Sequence, residues 1–125
     1  MRRGIDAALW TGTALSAGLT VWLSLLASPP GTAAFEGADK VEHLLAYAIT
    51  VSLFLLAAVW RPGRGPGVLW AARGWVLPLA VVAAAAIELV QGPLGREQEL
   101  ADWVAGSAGA ALAVGVNAAL RRRAA

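Results

Sequence analysis

The chain has 125 residues, 58% of them hydrophobic and only 14% charged, with a net charge of +2 and no cysteine. That is too apolar for an ordinary soluble domain, and the length suits one compact unit, residues 1–125, threaded through a membrane. Without cysteine there is no disulfide and no thiolate metal site, and arginines clustered beside apolar runs argue against nucleic-acid binding.

Four windows as wide as a bilayer follow in chain order. The first, about residues 6–28, holds "AALWTGTALSAGLTVWLSLLAS", uncharged throughout and closed by Pro29, Pro30 and Gly31. A rival reading makes this stretch, with its basic start, a cleaved signal peptide, which would leave three spans. The apolar stretch is longer than a usual signal core, however, and the proline pair follows it directly. The second span, about residues 41–60, ends at "RPGRGPG". The third, about 74–91, contains Pro78, an alanine run and one charge, Glu88. The fourth, about 101–120, is rich in alanine and glycine and stops at "RRR". A lone segment in lipid must satisfy its own backbone hydrogen bonds, so each is expected to be helical. The expected fold is all-α: a polytopic integral membrane protein, an antiparallel bundle of four transmembrane helices.

The basic residues orient it. With four spans, Arg2, Arg3, Arg61, Arg64, Arg73, Arg121, Arg122 and Arg123 share one side, and only Lys40 and Arg96 fall on the other. The positive-inside rule then puts both termini in the cytoplasm of a cell-membrane protein. Trp10, Trp60, Trp70 and Trp75 fall at inner ends and Trp103 at an outer end, as interfacial anchors do.

Seven of the eight carboxylates, all but Asp6, map to the outer half. At about 100° per residue, Asp39, Lys40, His43, Tyr47 and Thr50 share one arc of about 100°, a stripe reaching roughly 12 Å inward from Asp39 to Tyr47. Glu42 lies off it. Glu88 and Gln91, three apart, share a face of the third span. Glu99, Asp102, Gly106, Gly109, Ala113 and Asn117 lie within about 80° on the fourth. A charge near the bilayer centre costs about 2.5–3.5 kcal/mol, so Glu88 is expected to face the interior, within reach of Lys40, Arg96 or His43.

"DKVEHLLAY", "ELVQ" and "GREQELADWVAGSAG" together resemble the signature of the VanZ-like family, named for an accessory protein of teicoplanin resistance. Members typically show Asp-Lys-x-x-His with a following Tyr, then Glu-x-x-Gln, then an Arg followed by an Asp, an Asn and a Gly. Asp39, Lys40, His43 and Tyr47 match the first element, Glu88 and Gln91 the second, and Arg96, Asp102 and Gly109 the third. Gly106 stands where members commonly have Asn, which puts any role of that Asn in doubt here. The resemblance covers roughly residues 35–110. It implies a small polytopic membrane protein acting at the outer surface, where teicoplanin meets its cell-wall precursor target.

The residues themselves leave several roles open. His43, Asp39, Glu88 and Asp102 suit proton transfer, although a membrane histidine also serves simply to bond a neighbouring helix. Metal ligation by His43 with Glu88 and Asp102 is conceivable, but one imidazole and no thiol make a poor zinc set, and no metal is expected. Lys40 and Arg96 suit an anion clamp, or else pair with Asp39, Glu97 or Glu99. Tyr47 and Gln91 suit supporting hydrogen bonds, and Glu99 belongs to the same ligand-binding group. The glycines suit helix packing.

Two functions result. One is binding or shielding of a cell-envelope lipid or lipid-linked precursor headgroup in an extracytoplasmic-side polar pocket, walled by the second, third and fourth spans, contributing to teicoplanin resistance. The other is a membrane enzyme working on a lipid or phosphate headgroup by acid/base catalysis. Proton-coupled transport is weaker, since no inverted repeat is visible. No serine or cysteine nucleophile arrangement and no phosphate-binding glycine loop is present, and no cofactor is expected. So small a bundle could pair with a second copy.

Overall fold

A computed structural model describes residues 2–26, 35–59, 66–95 and 99–124. It contains helices α1 (Arg2–Leu25), α2 (Ala38–Val59), α3 (Pro66–Gln91) and α4 (Leu100–Ala124), with a turn of 3-10 helix, Gly92–Leu94, after α3. There is no strand among the described residues. All four helices are long and apolar enough to cross a membrane, and their outward faces carry exposed large apolar side chains such as Leu15, Leu19, Trp22, Leu79, Val82 and Leu112. In water such surfaces would drive aggregation; in lipid they are at no disadvantage. The architecture is an all-α four-helix bundle of the multi-pass membrane kind.

The helix ends differ from the windows read from hydropathy. α1 stops at Leu25, ahead of the proline pair. α2 begins at Ala38 and so takes Asp39 and Lys40 into its first turn, where a carboxylate meets the positive end of the helix dipole. Gly37 makes that start possible: its φ of +83° belongs to the left-handed region, and its carbonyl accepts from the Lys40 N–H at 3.1 Å. α3 begins at Pro66, inside the segment expected to be a loop, because proline has no N–H to lose in a first turn. α4 continues through Arg121, Arg122 and Arg123, whose charge suits the negative end of the helix.

α2 packs most extensively on α4, and these two run parallel. Near their starts Lys40 meets Glu99, and deeper in, Val51 and Leu55 share a core with Ala110 and Ala113. A Cβ placed on Gly109 would run into the Leu44 carbonyl, with the Leu44 Cα at 3.1 Å. Glycine therefore brings backbone against backbone, the device that holds helices together where lipid removes the hydrophobic drive. α1 lies antiparallel on α2: the Trp10 and Phe54 rings meet edge-on at 5.8 Å, and the Ser16 and Thr50 hydroxyls share a 2.7 Å hydrogen bond. α3 lies antiparallel on α4, where the Trp103 indole N–H donates to the Val81 carbonyl at 3.1 Å. A parallel central pair, α2 and α4, is thus flanked by α1 and α3.

Candidate functional site

At one end of the bundle α1 and α3 finish while α2 and α4 begin. The polar stripes of α2, α3 and α4 meet there. Lys40 reaches across to α4 and forms ion pairs with Asp39 at 2.8 Å and Glu99 at 2.7 Å; its Nζ lies 3.5 Å from Asp102 Oδ1. One ammonium thus faces carboxylates from both helices. In the lipid-facing reach of a protein such sharing lowers the cost of each charge.

Beneath this ion-pair group lies a second, more buried one. His43 is 8% exposed, Glu88 9% and Asp102 3%. The His43 ring fits under the α2 start because its Nδ1 lies 2.9 Å from the Asp39 carbonyl, one turn back. A carbonyl can only accept, so Nδ1 carries the proton and donates. The other nitrogen, Nε2, points to α3, 4.0 Å from Glu88 Oε1. Glu88 is fixed from its far side, where Oε2 accepts the Glu99 N–H at 3.2 Å. Neither His43 Nε2 nor Asp102 Oδ1 has a hydrogen-bond partner among the described residues.

The expected residues therefore converge, with informative exceptions. Asp39, Lys40, His43, Glu88, Glu99 and Asp102 form one continuous cluster, and Glu88 faces the interior as its charge requires. Tyr47 is buried beside it, its ring against α4: a Cβ on Gly106 would stand 3.1 Å from Tyr47 Cδ2. Gly106 thus leaves the space that the ring fills. Gln91 is wholly buried but points elsewhere, its amide donating to the Ser24 carbonyl of α1 at 2.7 Å. Arg96 and Glu97 lie outside the described residues. Asn117 shares the α4 face but begins three turns further along the helix than Gly106.

A groove of about 490 Å³ lies between α1 and α2. It is walled by Leu15, Leu19, Leu23, Leu45 and Ile49, with Ser16, Thr20 and Ser24 along the α1 side. His43 and Glu42 also line the groove, so His43 belongs to both features. Glu42, off the α2 stripe by spacing, faces this groove and takes no part in the ion-pair group. Thr50 joins the α1 side too, bonded to Ser16 and 3.4 Å from Thr20.

The chain matches no family model, no curated protein and no solved structure. The contribution of α1 escaped the reading of the sequence. A signal for it existed, since Ser16, Thr20 and Ser24 recur every four residues along one helical face.

Proposed function

We propose that the protein is a cell-membrane protein with both termini in the cytoplasm, which binds or shields a cell-envelope lipid or lipid-linked precursor headgroup at the outer leaflet. The observation that carries this reading is the sharing of His43. The groove between α1 and α2 is lined mainly by apolar side chains, which suit a hydrocarbon chain, and His43 belongs both to its lining and to the polar cluster. A lipid lying in that groove brings its headgroup to Asp39, Glu99 and Asp102, whose oxygens accept from hydroxyl and amino groups. The positive-inside distribution of arginines supports the outward placement of this end. The VanZ-like motif elements support a role in teicoplanin resistance, by covering the precursor that the antibiotic seeks.

A second reading, acid/base chemistry on the same headgroup, is favoured by the buried Nε2 of His43 facing Glu88 at 4.0 Å. Both readings are tested by alanine substitution scored as teicoplanin protection at equal protein abundance. Asp39→Ala, His43→Ala, Arg96→Ala and Asp102→Ala are expected to abolish protection, and Glu42→Ala and Glu97→Ala to be mild. Six variants behaving alike would reduce the cluster to an ordinary charged helix start. If protection is lost, release of a modified lipid by the wild type but not by His43→Ala separates the enzyme from the binder.

A further inference from the structure

We infer that His43, Glu88 and Asp102 form a binding site for one divalent metal ion of the zinc or manganese kind. The three side chains come from three different helices, and one ligand atom from each lies within 4.8 Å of the others. Proximity alone would mean little. The site stands on what two of these atoms, His43 Nε2 and Asp102 Oδ1, lack and on how the three side chains are held.

His43 Nε2 and Asp102 Oδ1 are both buried without a hydrogen-bond partner, on residues 8% and 3% exposed. A neutral imidazole whose Nδ1 carries the proton offers only a lone pair at Nε2. That lone pair faces Glu88 Oε1, another acceptor, at 4.0 Å. Two acceptors turned towards each other in a buried place are unfavourable unless a proton or a cation lies between them. At 4.0 Å the separation is too long for a hydrogen bond. Metal ligands bound at about 2.1 Å stand about 3.0–3.4 Å apart, so His43 and Glu88 need close by about 0.6–1 Å and no pair of the three by more than about 1.8 Å.

The supports are those a metal site needs. A metal-bound imidazole nearly always donates its other N–H to a carbonyl or carboxylate, which fixes the ring. His43 does so to the Asp39 carbonyl at 2.9 Å. The Glu99 N–H holds the far oxygen of Glu88 at 3.2 Å, which turns the near one to His43.

The neighbouring ammonium does not do the ion's work. Lys40 sits at 2.7 and 2.8 Å from Glu99 and Asp39 but 3.5 Å from Asp102 Oδ1. It sits closest to the upper pair and leaves Asp102 Oδ1 without a hydrogen bond among the described residues. Judged by donor types alone the set looked poor, with one imidazole and no thiolate. Three protein ligands with an open position are nevertheless a common arrangement for zinc, and carboxylate-rich sets also suit manganese.

The inference goes beyond the headgroup reading, because metal content is measured with no precursor lipid or antibiotic present. The full-length protein in lipid nanodiscs, stripped with EDTA, is titrated with Zn²⁺ and separately with Mn²⁺. Bound metal is counted by mass spectrometry after desalting. About one ion per chain is expected for at least one of the two metals. His43→Ala and Asp102→Asn should weaken binding at least about tenfold, whereas Asp39→Asn and Glu42→Gln should leave it within about twofold, since neither side chain is a ligand. Glu88→Gln keeps the shape of the side chain, so weaker binding at unchanged helical content separates ligation from folding. The inference is overturned if neither ion binds, if His43→Ala binds as the wild type does, or if Asp39→Asn is the variant that loses the metal.

Discussion

Helix α2 has two working faces of opposite character. Towards α4 it comes into backbone contact, with Gly109 against Leu44 and Gly106 under the Tyr47 ring. Towards α1 it stands off, leaving a groove of about 490 Å³ bridged by the Ser16–Thr50 hydrogen bond. The difference follows from side-chain size. Small residues on α4 allow close packing, while leucines and hydroxyls on α1 hold the helices apart. In lipid, helix contacts are won by shape and hydrogen bonds because apolar burial gives little advantage. The tight face therefore fixes Lys40 and His43 against Glu99 and Asp102. The loose face leaves His43 lining the groove between α1 and α2.

The largest test of this comparison is Gly109→Val. The new side chain meets the Leu44 main chain, which cannot turn aside, so α2 and α4 must separate. A loss of about 3 kcal/mol or more is expected, the upper end for overpacking, measured by denaturation in a fixed detergent, together with loss of the Lys40–Glu99 ion pair. Gly106→Ala should cost less, about 1 kcal/mol, because its Cβ meets the Tyr47 ring at 3.1 Å and a ring can shift. Equal losses at the two glycines would mean that backbone contact at Gly109 does not set the packing. On the loose face, the Ser16→Ala and Thr50→Val pair should show a coupling of only about 0.6 kcal/mol in a double-mutant cycle. A coupling several times larger would make α1 as firmly seated as α4.

Much of this arrangement could be read from the sequence. The spans follow from uncharged runs, and the placement of Glu88 follows from the cost of a carboxylate in lipid. Helical spacing put Asp39, Lys40, His43 and Tyr47 on one side, and they do meet α4 or α3 there. What spacing could not supply is the distance between helices. It treats one helix at a time, so Gln91 was grouped with Glu88 although its amide bonds α1. The parallel α2–α4 contact was also hidden, since neighbours in sequence are expected to pack first and only the glycines hint otherwise. The hydroxyl row of α1 was overlooked for a similar reason: serine and threonine on an uncharged span read as filler until a partner such as Thr50 is known.

The Gln91 hydrogen bond bears on how the chain is assembled. Ser24 lies in the last turn of α1. The Gln91 amide that bonds its carbonyl sits at the far end of α3, 67 residues later. A chain inserted from its N-terminus therefore makes this contact only after the second and third helices have been made. Arrival of Gln91 then locks the first span to the third, so docking of α1 completes late in biogenesis although it enters first.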